Sequence, residues 1–293
     1  MVSALGLGGY HIGTMTNERE AIRLVHAAID AGITFMDNAW EYHEGRSERV
    51  MGKAIADRRD RAFLMTKVCT HGRNKREAMR QLEQSLRRLH TDVLDLWQIH
   101  ECVYDNDPER HFARGGVVEA LDQARRDGKV RFVGFTGHKH PAIHLAMLAQ
   151  DFTFDTCQLP LNCFDASFRS FEQQVLPVLL GRGIAPLGMK SLSGDARQVK
   201  KKVVTAEQAL RYAMSLPVAT TISGIDSMTV LRRNLEVADG FRPMSGRQME
   251  ALRRRVREEA EDGRFELYKT TAQHEGTVGR EQHGYPGEEE LSA

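Results

Sequence analysis

Short apolar runs alternate along this chain with longer amphipathic ones. Eight of the short runs read as strands: Ala4–Gly8, Thr34–Asp37, Ala62–Lys67, Val93–His100, Val130–Thr136, Thr153–Gln158, Ile184–Leu187 and Ala219–Ser223. Most are rich in Val, Ile, Leu, Phe and Thr without strict polar alternation, as strands covered on both faces are. The stretches between them carry a helical period. In Glu18–Ala31 the apolar residues Ala21, Ile22, Val25, Ala28 and Ile29 share one face, Asn17 caps the start and Gly32 stops the end. Asn74 opens Lys75–Leu89, with Leu82, Leu86 and Leu89 on one stripe. Ser47–Asp57, Gly116–Arg126, Pro141–Ala149, Phe171–Leu180, Thr205–Leu216 and Met228–Ala238 complete the series. Gly6-Leu7-Gly8-Gly9 reads as the first strand and its turn rather than as a phosphate loop, because it lacks the surrounding strand–helix–strand spacing. Strands each followed by a helix predict an α/β fold whose parallel sheet closes into a (β/α)₈ TIM barrel.

After Ala238 the pattern breaks. Ser245–Glu261 predicts an additional helix, charged on both sides of a thin apolar stripe, and from Asp262 onward the chain is polar and aperiodic. The division expected is a barrel over 1–262 and a C-terminal loop or tail over 263–293, partly disordered, with Glu288–Ala293 its loosest part. Two readings of the tail stand: a loose end, or a loop over the barrel mouth. Phe265, Leu267 and Tyr268 are apolar enough to dock the stretch Gly263–Tyr268.

A length of 293 residues suits one barrel. A hydrophobic fraction of 41% and a charged fraction of 28% are those of a soluble globular chain. With 41 Lys and Arg against 40 Asp and Glu, the net charge of +1 gives no field toward nucleic acid or an acidic membrane, and neither partner is expected. No apolar run approaches the ~20 residues of a membrane span. The opening Ala4–Gly9 is too short and Gly-rich for a signal peptide. Cys69, Cys102, Cys157 and Cys163 form no C-x-x-C pair and read as buried thiols of a cytoplasmic protein.

Barrel enzymes build their sites where strands end. Asp37, Lys67 and His100 close the second, third and fourth predicted strands, and Tyr42 follows just beyond Asp37. Adjacent strands let the four converge. Singly, each has a plain structural role: Asp37 a cap, Tyr42 a loop anchor, Lys67 a snorkelling strand end, His100 a satisfied core histidine. Together they supply complementary parts. A phenol titrates near pH 10, and a nearby ammonium is expected to lower that value. A carboxylate keeps the ammonium charged and oriented, and an imidazole can hold the substrate carbonyl or share the proton. The set makes a general-acid site for a developing alkoxide and requires no metal. His138, His140 and His144 have near metal-ligand spacing, but Pro141 and the amphipathic run after it make them a loop-to-helix start.

The segment Phe35-Met36-Asp37-Asn38-Ala39-Trp40-Glu41-Tyr42 resembles the "F-D-T-A-x-x-Y" of the aldo-keto reductases. Ser47-Glu48-Arg49-Val50-Met51-Gly52-Lys53-Ala54 resembles their "S-E-x-x-L-G-x-A", and Ser85–His100 their "S-L-x-x-L-x-x-D-Y-I-D-L-x-x-x-H". The likeness runs from about Leu5 to Ala238 in family order. It implies an NAD(P)H-dependent oxidoreductase that reduces an aldehyde or ketone, with Tyr42 as general acid/base, Asp37 and Lys67 tuning it, and His100 orienting the carbonyl. On the cofactor side, Gly134–His138 stands where the family has "G-x-S-N". Thr136 keeps the hydroxyl, Gly137 loses the amide and His138 is placed to take over. Gln158 matches an amide contact, and Met189 replaces the aromatic that packs on the nicotinamide ring. Lys190 and Ser193 lie where the pyrophosphate would, with a turn of exposed amides at Leu192-Ser193-Gly194. Ile222–Asn234 resembles "I-P-G-x-x-S-x-x-x-L-x-E-N", which assigns Gly224, Asp226 and Asn234 to the adenosine end. Asp226 has two readings, a helix cap or a carboxylate facing the ribose. The family implies NADPH, with NADH the alternative that Asp226 raises.

Two rival functions fit the same barrel: a nicotinamide-binding sensor or regulatory subunit with little turnover, and a lyase or isomerase. A small-molecule carbonyl substrate is expected, its kind set by loops such as Glu101–Arg114 and the tail. The chain is expected to start at its first barrel strand, with the short hairpin that plugs the barrel bottom in the family absent or truncated.

Overall fold

The computed structural model describes residues 1–69, 73–272 and 274–276. Eight parallel strands close into a barrel in chain order. They are β1 (Leu5–Gly8), β2 (Phe35–Asp37), β3 (Phe63–Val68), β4 (Leu94–Ile99), β5 (Val130–Thr136), β6 (Thr156–Pro160), β7 (Ala185–Met189) and β8 (Thr220–Gly224). Leu7 is in register with Met36 on one side and Ser223 on the other, which seals first strand to last. Against the apolar pattern, β6 and β7 are shifted toward their C-terminal ends, so Pro160 and Met189 are strand residues.

Around the barrel lie α1 (Gly9–Thr14), α2 (Glu18–Asp30), α3 (Arg46–Ile55), α4 (Lys75–Arg88), α5 (Asp107–Phe112), α6 (Val117–Arg126), α7 (Pro141–Leu148), α8 (Phe171–Gln174), α9 (Leu176–Gly181), α10 (Arg197–Lys200), α11 (Ala206–Ser215), α12 (Met228–Asp239), α13 (Gly246–Ala260) and α14 (Leu267–Thr270). The caps are those the sequence offers. Asn17 and Asn74 accept from the first free amides of α2 and α4, and Thr205 and Ser245 form capping boxes with Gln208 and Gln248. Two expectations fail locally. Gly9 opens α1 instead of ending a turn. The predicted helix Phe171–Leu180 is two pieces, because Pro177 has no amide to give the carbonyl four residues back.

The strand period of two decides where the site lies. Inward positions on one strand climb from an apolar floor to a polar rim: Phe35 to Asp37, Phe63 and Met65 to Lys67, Leu96 to Gln98 and His100, Leu187 to Met189. The floor is a small cluster of Phe35, Met65, Leu96, Leu187 and Ile222, backed by Val2 and Phe63. The larger apolar core lies between strands and helices. Among the described residues no helix is long and apolar enough to cross a membrane. The expected disorder at Glu288–Ala293 lies outside the described residues.

Candidate active site

At the rim, Lys67 Nζ pairs with Asp37 Oδ1 and donates to the Asn38 carbonyl at 2.7 Å. Both partners are buried. The ammonium also stands over the ring face of Tyr42, 5.1 Å from its centroid. Tyr42 is held by tight turns: its amide donates to the Ala39 carbonyl at 3.2 Å, and its carbonyl accepts from Gly45 at 3.1 Å. The Trp40 amide ties this loop to β3 through the Lys67 carbonyl at 3.1 Å. The His100 ring meets Tyr42 edge-on at 5.5 Å between centroids. The four residues at the strand ends are thus one cluster.

The electrostatics correct one expectation. Tyr42 is raised well above the ordinary phenol value, not lowered. Burial is the largest cause, followed by the carboxylates of Asp37, Glu101 and Glu41. The Lys67 ammonium, held by Asp37 and the Asn38 carbonyl, does not reverse that direction. The phenol therefore stays protonated through neutral pH, the form a proton donor needs.

Three groups stand in the site that the strand-end pattern does not single out. Glu41 Oε1 binds His100 Nδ1 at 2.5 Å. Glu101 faces His138, with Nε2 to Oε1 at 3.7 Å. Tyr268 comes from the tail. Glu41 lies inside the segment that carries Tyr42, and Glu101 directly follows His100, so both positions were visible; their convergence was not.

The tail docks, and further than Gly263–Tyr268. Lys269 is fully buried and donates to Asp165 Oδ1 at 2.6 Å, Glu266 Oε2 at 2.9 Å and the Phe168 carbonyl at 2.7 Å. Asn162 donates to Glu266 and to the Tyr268 hydroxyl, both at 3.1 Å. Beyond it, Lys139 donates to the Thr271 carbonyl at 2.9 Å and to Glu275 at 2.7 Å, and the Gly276 amide donates to Glu101 Oε2 at 2.8 Å. Residues 263–272 and 274–276 therefore pass over the ends of β6, β5 and β4 in turn.

A nicotinamide cofactor fits the donors and acceptors present. Gln158 Nε2 reaches Asp37 Oδ2 at 3.4 Å and Met189 Sδ at 3.7 Å, while Gln158 Oε1 and Asn38 Nδ2 are buried with no hydrogen-bond partner. These are the groups a carboxamide satisfies. Thr136 Oγ1 lies 3.9 Å from the same Met189 sulfur. Gly137 lacks the family amide for a steric reason: a Cβ there would run into the Cys102 carbonyl. His138 is engaged by the Tyr268 carbonyl and Glu101. Lys190, Ser193 and Gly194 all have positive φ, and the Ser193 hydroxyl is buried without a partner. Burial draws Lys190 down to about 8, against the pull of Glu101. Gly224 ends β8 with the His11 ring where a Cβ would stand. Asn234 on α12 donates to Ser223 at 2.9 Å. Asp226 is exposed and does not cap α12; Ser227 does, accepting from Val230 at 3.3 Å. His138, His140 and His144 do not gather: His140 accepts from the Ala142 amide at the start of α7, and His144 packs between Phe135 and Phe171.

A barrel of this order, with a Tyr-Lys-Asp-His cluster at its strand ends, is the architecture of an oxidoreductase class. The chain belongs to the aldo/keto reductase family, whose model matches residues 4–202. It is 33% identical over 204 residues to the aldo-keto reductase YhdN of Bacillus subtilis, an alignment spanning 65% of this chain and 58% of that protein. It is 26% identical over 299 residues to the oxidoreductase YqkF of the same species, spanning 88% of this chain and 94% of that one. Its fold superposes on a Klebsiella pneumoniae aldo-keto reductase in complex with NADPH with a TM-score of 0.72, at 25% identity, covering 87% of this chain and 92% of that chain.

Proposed function

We propose that this chain reduces an aldehyde or ketone to the alcohol, using NADPH, with Tyr42 as the proton donor. The observation that carries the reading is the joint placement of Tyr42, the buried Asp37–Lys67 pair and His100 at one end of the barrel. The nicotinamide, when bound, supplies a hydride for the carbonyl carbon. Thr136, Gln158 and Asn38 would hold its carboxamide and Met189 its ring face. Lys190, Ser193 and the turn amides would hold the pyrophosphate, and Gly224 and Asn234 the adenosine end. The chain's own residues do the rest. Tyr42 gives its proton to the oxygen as negative charge develops there. Glu41 engages His100 Nδ1 and leaves Nε2 to face that oxygen. Lys67 over the ring face steadies the phenolate left behind.

The test is the full chain with NADPH and a panel of carbonyl compounds, followed by the loss of nicotinamide absorbance. Tyr42→Phe keeps the ring and removes the proton. Turnover should fall by ~10²–10⁴-fold, with NADPH affinity retained. Turnover within a few-fold of the parent would remove Tyr42 from the role.

A further inference from the structure

The turn that runs from Lys190 to Gly194 is met by a histidine of the tail. The His274 ring lies on Gly194, with Cε1 3.3 Å from where a Cβ would stand and Nε2 and Nδ1 at 3.8 and 3.9 Å. Gly194 has a φ of 87°, which disfavours any side chain of its own and leaves that place to the imidazole. Tyr268 meets the His274 ring edge-on, 6.1 Å between centroids, and the Lys190 ammonium stands over the Tyr268 ring, 5.1 Å from its centroid. Asn162 fixes both neighbours, donating to the Lys190 carbonyl at 3.3 Å and to the Tyr268 hydroxyl at 3.1 Å. Among the described residues neither ring nitrogen of His274 makes a hydrogen bond. The hydroxyl of Ser193, next to Gly194 in the chain, is buried and has no partner either.

We propose that His274 is a cofactor-binding residue supplied by the tail, joining Lys190, Ser193 and the turn amides at the pyrophosphate. The inference rests on the cofactor reading given above. The pyrophosphate of a dinucleotide bears one negative charge on each phosphate, and Lys190 offers a single ammonium. A protonated imidazole on the same turn supplies the second cation, with an N–H to donate. The groups facing His274 are Lys190 at the end of β7, His138 after β5, Asp195 before α10 and Glu101 after β4. Burial, helped by Lys190 and His138, draws His274 down to about 4 against the pull of Asp195 and Glu101. Asp195 is itself shared with Arg197, at 2.6 Å. Phosphate oxygens on the turn favour the charged ring, so seating them raises His274 and takes up a proton. Affinity should therefore rise as pH falls through the raised value, and level off near 4, where the cofactor-free chain is already protonated.

The probes are NADP⁺ and ADP-ribose, the latter carrying the pyrophosphate without nicotinamide or ribose phosphate. With the full chain at about pH 6, calorimetry in buffers of different ionisation heat should show proton uptake on binding ADP-ribose. His274→Ala should abolish the uptake and weaken both probes about tenfold or more. His274→Arg, a fixed cation, should regain affinity and lose the pH dependence. Hydrogen exchange at the amides of 267–270 reports whether the tail stays docked; where the alanine variant loosens it, proton uptake by the parent decides. Absence of that uptake, unchanged affinity in His274→Ala, or tighter binding there would each overturn the role of His274 and leave the cofactor reading standing. A parent that binds neither probe would remove both.

Discussion

At the scale of the residue, the rim shows what strand-end position can and cannot announce. Asp37, Tyr42, Lys67 and His100 were legible because a parallel barrel delivers every strand end to one face. The direction of the Tyr42 shift was not, since burial and the gathered carboxylates set it while the Lys67 ammonium is committed to Asp37. That commitment carries a prediction. Lys67→Met leaves Asp37 buried without its cation, and breaking such a pair costs roughly 3–5 kcal/mol. The denaturant midpoint should drop accordingly, and adding Asp37→Leu should recover part of the loss. If the single variant is as stable as the parent, the pair is not holding the rim. Asp226 poses a different question. With Ser227 as the cap of α12, the carboxylate has no structural duty there and is exposed beside Arg23 and Met228 in a surface groove. Under the cofactor reading it lies at the adenosine end and repels a ribose phosphate. Asp226→Ser should then raise NADPH affinity relative to NADH, and the gain should shrink as salt is added. Equal affinity ratios in mutant and parent, by fluorescence titration, would put Asp226 outside the cofactor site.

At the scale of the element, long periodic segments were readable and short ones were not. All eight strands and the main helices follow from spacing of apolar residues, yet α1, α5, α10 and α14 are too short to show a period. The tail is the instructive case. Its apolar residues hint at docking for Phe265 and Tyr268, but what seats it is polar: Lys269 between Asp165 and Glu266, and Asn162 beneath Tyr268. An apolar pattern cannot register contacts of that kind, because they exist only once distant carboxylates are brought together. Lys269→Met would leave Asp165 and Glu266 facing each other without a cation. Backbone amides of 267–270 should then lose most of their hydrogen-exchange protection while the barrel strands keep theirs. Undiminished protection of α14 would mean that apolar contacts alone dock the tail.

At the scale of the whole molecule, the barrel buries ionisable groups that tie its stability to pH. His144 lies between the Phe135 and Phe171 rings, 5.3 and 4.9 Å between centroids, and burial draws it down to about 3 from 6.5. A depressed histidine is neutral when folded and protonated when unfolded. Its contribution is fully present above pH 6.5 and is lost as pH falls toward 3. The shift is worth on the order of 4–5 kcal/mol at 1.36 kcal/mol per unit. His144→Phe should flatten the loss of stability below pH 6.5, read from urea midpoints at several pH values; parallel curves for mutant and parent would show that His144 carries no such linkage. The docked tail, residues 263–272 and 274–276, shares its anchors with the strand-end site. It is fastened to His138, Lys139 and Glu101, and His138 and Glu101 also border the strand-end cluster. Seating of the tail and seating of any guest that takes those same groups are therefore one equilibrium viewed from two sides. Thermodynamic reciprocity requires that a guest displacing the tail be weakened by the same factor as it loosens the tail, and that a guest completed by the tail be strengthened by it. The docked residues 263–272 and 274–276 thus act as an internal ligand of their own barrel, and affinities measured on a chain lacking them would be those of a different receptor.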